Sequence, residues 1–188
     1  MKDVIAIGGS AGCLPVVRRI LDALPEHFNY PVIVVIHRLR NVVSDLDQVL
    51  ALSGKNLVVR EPEDKEPVQK GVVYLAPQNY HLQIETDKTF SLDYSEPVNF
   101  SRPSIDVTFD CVASVYKNKS VGILLSGASR DGAAGIAKII KKGGAGVAQD
   151  PSTAEYAYMP QSAIDTNENI LVLSPEAITQ FIKTNFTS

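Results

Sequence analysis

Three polar residues stand at the ends of apolar runs, and their types are those of a nucleophile, a base and an orienting carboxylate. Ser10 follows Val4-Ile5-Ala6-Ile7 and lies within the glycine hinge Ile7-Gly8-Gly9-Ser10-Ala11-Gly12. His37 follows Ile33-Val34-Val35-Ile36, and Asp131 comes shortly after Val121-Gly-Ile-Leu-Leu125. A serine hydroxyl is a weak nucleophile until an imidazole takes its proton, and a carboxylate fixes the imidazole tautomer and stabilises its cation. Each residue also has a purely structural reading. Ser10 suits the cap of the helix that follows it, Asp131 suits the cap of a helix starting at Gly132, and a lone strand-end histidine is more often structural. A serine corner beside helix-terminal amides suits a phosphate as well. The catalytic reading gains from one expectation: all three residues belong on the same edge of one sheet.

The elements that must position them follow from periodicity. Short apolar runs at 4–7, 32–36, 57–59, 72–75, 121–125, 146–148 and 170–173 read as strands. Helical spacing recurs around 14–24, 43–52, 104–117, 132–142 and 175–184, the first carrying Leu14, Val17, Ile20, Leu21 and Leu24 on one face. The alternation implies parallel strands with right-handed crossovers, hence a doubly wound, mostly parallel α/β sheet flanked by helices. Residues 81–94 alternate apolar and polar around Thr86-Asp87-Lys88, which predicts an inserted antiparallel β-hairpin. Pro103 suits the first turn of a helix with Ile105, Phe109, Val112, Ala113 and Tyr116 as its buried stripe. Gly143-Gly144 is expected to end the helix that begins near Gly132. The acidic stretch 61–71, with two prolines, reads as a solvated loop.

Composition narrows the classes of function. A chain of 188 residues allows one domain with a sizeable core. Its 45% hydrophobic and 21% charged residues are those of an ordinary soluble globular protein. A net charge of −3 argues against a nucleic-acid binder. No apolar stretch approaches the ~20 residues that span a bilayer, so no membrane insertion is expected, and the first strand is too short for a signal peptide's apolar region of about 7–15 residues. Cys13 and Cys111 lie far apart without metal spacing, which fits reduced thiols in a cytoplasmic chain. Gly8-x-Ser10-x-Gly12 matches the nucleophile elbow of α/β-hydrolases, but the order Ser–His–Asp differs from the Ser–Asp–His order of that fold. Ser10 occupies the second glycine position of G-x-G-x-x-G, and no glycine-lysine pair precedes a serine or threonine. A nucleotide-binding role therefore lacks its fingerprint.

Three blocks together resemble a known family, the catalytic domain of the chemotaxis protein-glutamate methylesterases (the CheB family). Ile7-Gly-Gly-Ser-Ala-Gly12 resembles its nucleophile motif, Val34-Val-Ile-His37 its histidine strand, and Leu124-Leu-Ser-Gly-Ala-Ser-Arg-Asp-Gly-Ala-Ala-Gly135 its aspartate motif. Gly71–Pro77 with His81-Leu82, Ser101-Arg-Pro-Ser-Ile-Asp-Val107, Ala148-Gln-Asp150, and Met159-Pro160 with Ala163-Ile164 resemble further family blocks, in the family's order.

The resemblance implies that Ser10 is the nucleophile, His37 the general base and later acid, and Asp131 the histidine's partner. It places Ala11, Gly12, Ala128 and Ser129 in the oxyanion and substrate vicinity. The implied reaction is hydrolysis of glutamate γ-methyl esters on the cytoplasmic helices of chemoreceptors, with methanol released and no cofactor or metal. Family members also deamidate receptor glutamines, and a receptor methyltransferase is a further implied partner. The family's aspartate motif usually reads Gly-Met-Gly-x-Asp-Gly, whereas here Ala128 and Ser129 replace the methionine and the second glycine. The methionine acts through its main chain, which alanine preserves. A glycine at the position of Ser129 suggests φ > 0, which costs a residue with a Cβ about 1 kcal/mol or more. Ala11 stands for a common threonine, Cys13 for a glycine, and Arg38 for an uncharged residue. The alternative reading within the same fold is a catalytically weakened module that binds the receptor or the methyltransferase. Typical members carry an N-terminal phosphoacceptor domain. Because this sequence starts at the first catalytic strand, residues 1–188 are expected to form a single catalytic domain without a receiver domain, its site constitutively exposed.

Overall fold

Strands buried on both faces need apolar side chains throughout, and the runs identified above meet that demand. The computed structural model describes residues 2–25, 27–38, 41–42, 44–52 and 57–186. In it β1 (Val4–Gly9), β2 (Val32–Ile36), β4 (Val72–Leu75) and β7 (Ser120–Leu124) are buried along their whole length. They form the middle of a parallel sheet completed by β3 (Val58–Arg60), β8 (Ala145–Gln149) and β9 (Leu171–Leu173), in the order β3-β4-β2-β1-β7-β8-β9. The hairpin is present as a separate antiparallel pair, β5 (His81–Ile84) with β6 (Phe90–Asp93). The expected doubly wound architecture is the one observed.

Alternation along the strands divides the interior into two cores. Ile5 and Ile7 of β1, Val34 and Ile36 of β2, and Val121 and Ile123 of β7 pack against α1 (Leu14–Ala23) and α6 (Pro175–Asn185) through Val17, Ile20, Leu21, Ile178 and Ile182. The opposite face, with Val4, Ala6, Ile33 and Val35, meets α3 (Ile105–Tyr116), α4 (Ala133–Lys141) and α5 (Tyr158–Thr166). The hairpin adds Leu82, Ile84 and Phe90 to this second core, and the Thr108 hydroxyl of α3 donates to the Leu82 carbonyl at 2.7 Å. A short helix, α2 (Leu46–Ala51), lies within the expected 43–52, of which position 43 falls outside the described residues.

Four expectations need correction. Helix α5 has no counterpart in the periodicity reading, because only Met159, Pro160 and Ala163 are buried on it and no long apolar stripe announces it. Pro160 sits in its first turn, where a missing N–H is harmless. Pro103 does not open α3: Ser104 is the N-cap and the helix starts at Ile105, with the Arg102–Pro103 peptide cis just before it. Helix α4 starts at Ala133 rather than Gly132, which is its N-cap in a left-handed conformation with φ 99°. Its far end does follow the glycines, Gly143 taking φ 83° and the Gly143 and Gly144 amides both donating to the last turn at 2.9 Å. Finally, 61–71 is more than a solvated loop. Lys65 N–H donates to the Phe90 carbonyl and Phe90 N–H to the Glu66 carbonyl, each at 2.8 Å, while the Glu66 carboxylate pairs with both terminal nitrogens of Arg60. The stretch is stitched to the hairpin.

The chain leaves β1 toward β2 on one side and returns to β7 on the other. A reversal of this kind opens a crevice at the carboxyl ends of the strands, the usual place for a site in such sheets. Ser10 lies there.

Candidate active site

Register brings two of the three candidate residues side by side. Gly9 of β1 is paired with Ile36 of β2, so Ser10 and His37 are the next residues off neighbouring strands. The His37 amide donates to the Gly9 carbonyl at 3.1 Å, and the Ser10 amide to the Ser126 carbonyl at 2.9 Å. Beyond Ser10 the chain turns sharply, with Gly12 at φ 74°. The Ser126 hydroxyl holds that turn by donating to the Ala11 carbonyl at 2.8 Å, and is itself held by the Tyr156 amide at 2.9 Å. A Cβ on Gly9 would stand 2.5 Å from the Cβ of Cys13, and one on Gly12 would stand 2.6 Å from that of Glu155, so neither position has room for a side chain.

This geometry removes the structural reading of Ser10. Helix α1 has Cys13 at its N-cap and no side-chain cap bond, so the Ser10 hydroxyl does not serve as one. Ser10 is half-buried. The amides of Ala11, Gly12 and Ala128 have no hydrogen-bond partner among the described residues. The neighbouring Cys13 thiol offers no competing nucleophile, because burial pushes it up to about 12.

His37 and Asp131 meet directly. His37 Nε2 lies 2.8 Å from Asp131 Oδ2, with the imidazole side chain 13% exposed and the carboxylate fully buried. Burial of a carboxylate demands donors, and Asp131 receives four besides the imidazole. The amides of Ile105 and Asp106, at 2.7 and 3.1 Å, come from the first turn of α3. The Ser104 hydroxyl donates at 2.8 Å and the Asn99 amide group at 3.1 Å. Asp131 therefore does cap a helix, but it is α3 and not the helix that follows it in sequence. The N-terminus of α4 belongs instead to Asp106, whose Oδ1 accepts from the amides of Gly132 and Gly135 at 3.0 and 2.6 Å. Each aspartate thus seals the other's helix.

The two carboxyls respond in opposite directions. Burial alone would raise Asp131, but the hydrogen bonds from His37, Ile105, Asn99 and Ser104 outweigh it and hold Asp131 below the ordinary carboxylate value. The helix terminus favours the same ionised form. Asp106 is raised, first by burial and then by the facing Asp131 charge, despite its two backbone donors.

Asn99, Ser101, Ser104 and Asp106 were not singled out from the sequence as parts of the site. The Ser101–Val107 block contained three of them as a family-like signature, and Asn99 carried no signal at all. Ser101 is the most consequential, since its hydroxyl lies 3.3 Å from His37 Nδ1. The Ser10 hydroxyl makes no hydrogen bond to His37 among the described residues. If Ser101 only occupies the resting imidazole, removing its hydroxyl loses one weak contact, of about 0.5–1.5 kcal/mol. Ser101→Ala is accordingly expected to change kcat by no more than about tenfold, as steady-state kinetics will read; a loss of several orders of magnitude would make Ser101 the nucleophile.

The remaining expected residues line a cleft. Ala128, Ser129 and Arg130 form one wall, Asn99, Phe100 and Ser101 the other, around a volume of about 380 Å³. Ser129 does not need a left-handed backbone, since it is not among the residues with positive φ. Its hydroxyl accepts from the Asp131 amide at 3.1 Å, so the substitution for glycine gives the aspartate loop a local tie. Arg38 points away from the cleft, donating to the Ala76 carbonyl at 2.6 Å and the Glu61 carboxylate at 2.7 Å. Among the described residues no three His, Cys, Asp or Glu side chains group in a way that would hold a metal ion.

Comparison with known proteins gives one answer throughout. Residues 5–182 match the family model described as CheB methylesterase. A relative from Leptospira interrogans is 46% identical over 178 residues, which is 95% of this chain and 92% of the relative. A protein-glutamate methylesterase/protein-glutamine glutaminase of Thermotoga maritima is 35% identical over 165 residues, covering 86% of this chain and 48% of that protein. The crystal structure of the Thermotoga maritima CheB methylesterase catalytic domain superposes with a TM-score of 0.89 at 33% identity, covering 97% of each chain. The chain thus spans nearly all of the first relative and about half of the second.

Proposed function

This chain belongs to the CheB methylesterase family, and on that premise we propose that it hydrolyses glutamate γ-methyl esters, and deamidates glutamines, on the cytoplasmic helices of chemoreceptors. The observation that carries the catalytic reading is the 2.8 Å bond from His37 to the buried Asp131, built on the same sheet edge as Ser10.

Chemistry follows from which nitrogen is engaged. A carboxylate accepts at Nε2, so the neutral imidazole carries its proton there and leaves Nδ1 as the base. Nδ1 takes the Ser10 proton as Oγ attacks the ester carbonyl, with Ser101 turning aside; such bonds are often loose before substrate binds. The amides of Ala11, Gly12 and Ala128 are the donors available for the oxyanion. Collapse of the tetrahedral intermediate breaks the bond to the methoxy oxygen, which takes the proton from His37 and leaves as methanol. Water then adds to the acyl-Ser10 carbonyl, giving its proton to His37, which returns it to Ser10 as glutamate is released. With glutamine as substrate the same steps expel ammonia. The weakened-module alternative loses its main support, because Ser129 carries no left-handed strain. The proposed substrate puts the protein in the cytoplasm, and no helix of the described residues is long and apolar enough to cross a membrane.

The test is release of labelled methanol from receptor-bearing membranes methylated with labelled methyl groups. Turnover by the wild-type protein is expected; a folded wild-type protein that releases none would overturn the reading.

A further inference from the structure

The wall of the cleft carries a cation that the fold leaves unpaired. Arg130 directly precedes Asp131, and its backbone is fixed. Its carbonyl accepts from the Ala133 amide at 3.2 Å, and the Asp131 amide that follows it donates to the Ser129 hydroxyl at 3.1 Å. The residue is exposed. Arg19, Arg38 and Arg60 pair with Glu176, Glu61 and Glu66, and Arg102 donates to the Tyr94 and Ser95 carbonyls. Among the described residues the Arg130 guanidinium makes no hydrogen bond, ion pair or ring contact. The neighbouring Asp131 carboxylate is fully buried and occupied by its own donors. Arg130 stands where two cavities meet: the cleft of about 380 Å³, and a second of about 270 Å³ lined by Ala133, Tyr158, Ser162 and Asp165. Asp165 is engaged within its own helix, accepting from the Gln161 amide group at 2.8 Å.

A guanidinium offers a planar fork of donors that matches a carboxylate. The scissile group is not its partner, because an ester or an amide carries no charge. We infer that Arg130 is a specificity residue: it pairs with a second, ionised carboxylate of the substrate helix, one turn from the glutamate being hydrolysed. This rests on the methylesterase reading given above. Residues three or four apart share a helix face, with Cβ atoms about 5–6 Å apart. A carboxylate one turn from the ester therefore faces the same surface of the enzyme. The reaction itself makes such groups. On a helix with two modified glutamates one turn apart, hydrolysis of the first supplies the anion that favours binding of the second.

The test compares helical receptor fragments that carry one labelled methyl ester and either glutamate or glutamine one turn away. For the wild type, glutamate is expected to raise kcat/KM for methanol release about three- to tenfold, mainly through KM. Arg130→Gln should cut that preference to less than about twofold and leave the melting temperature unchanged. Arg130→Glu should reverse it, favouring a fragment with lysine at the same position, and added salt should weaken it in the wild type. No preference in the wild type, or an equal loss by Arg130→Gln on both fragments, overturns the inference. Calorimetric binding in a Ser10→Ala background decides it without turnover. There the glutamate fragment is expected to bind at least about threefold tighter, and Arg130→Gln to abolish the difference. Equal binding of the two fragments, or no binding of either, overturns it. Wild-type inactivity with binding that still depends on Arg130 and the carboxylate would instead remove only the methylesterase reading.

Discussion

Replacing Ser10 with alanine is expected to lower methanol release from a methylated receptor by at least about 10³-fold. Thermal stability should stay within about 0.5 kcal/mol of the wild-type value. The two outcomes are tied to the same geometry. The Ser10 hydroxyl caps no helix and makes no hydrogen bond among the described residues, so its loss leaves no buried partner unsatisfied. What fixes the corner is the backbone: the Ser10 amide on Ser126, the left-handed Gly12 and the Ser126 hydroxyl on Ala11. All of these survive in the variant. His37→Ala is expected to cost a similar factor, and the double variant little more than either single one, because the residues act as a unit. Multiplying losses in the double variant would mean that the serine and the histidine work independently.

Asp131 is expected to behave in the opposite way, with activity and stability falling together. Asp131→Ala strands the Ile105 and Asp106 amides, the Ser104 hydroxyl, the Asn99 amide group and the His37 imidazole. Breaking a buried charged network on one side costs about 3–5 kcal/mol, to be read by urea unfolding. Asp131→Asn keeps the shape but offers the imidazole a poorer partner, and a loss of about 10⁴-fold in kcat is expected. Its stability penalty should depend on pH. A folded pKa held below the unfolded one gives stability that is complete above the unfolded value, near about 4, and is lost as pH falls through the folded value. The advantage of the wild type over Asp131→Asn is therefore expected to be largest near neutrality and to shrink below about pH 4. Asp106, raised by burial and by Asp131, works the other way: its contribution is complete below the unfolded value and is lost as pH rises through the folded one. Asp131→Asn also removes the charge that helps raise Asp106, so the pH dependence of the gap reads the two carboxyls together. A gap that stays constant from pH 7 to pH 3 would contradict the assignment.

The contrast between these variants shows what the sequence made legible. Strands that are buried on both faces must be written as continuous apolar runs, so β1, β2 and β7 stood out, and with them Ser10, His37 and Asp131 at their ends. The glycines at 9 and 12 announced a corner without space for side chains. The support of Asp131 was not visible in the same way. Asn99, Ser104 and the first amides of α3 reach it across more than twenty residues of chain, and polar loop residues follow no period. For the same reason Asp131 looked like the cap of the helix next to it, when tertiary folding assigned it to α3 and gave α4 to Asp106. Backbone strain was likewise misplaced: comparison with a glycine-bearing motif put it at Ser129, while the folded chain carries it at Asn99 and Phe100. Helix α5 was missed because its neighbours, and not its own periodicity, hold it in place.

Two serines stand near one histidine, Ser10 as the next residue off the adjoining strand and Ser101 with its hydroxyl 3.3 Å from His37 Nδ1. Only one of them is the nucleophile in the mechanism proposed here. A fluorophosphonate, which forms a stable adduct with an activated serine, followed by peptide mass spectrometry, distinguishes them in a single experiment. The adduct is expected on Ser10 in the wild type and in Ser101→Ala, and on neither serine in His37→Ala. An adduct on Ser101, or full methanol release from a protein whose Ser10 stays unlabelled, would contradict the account.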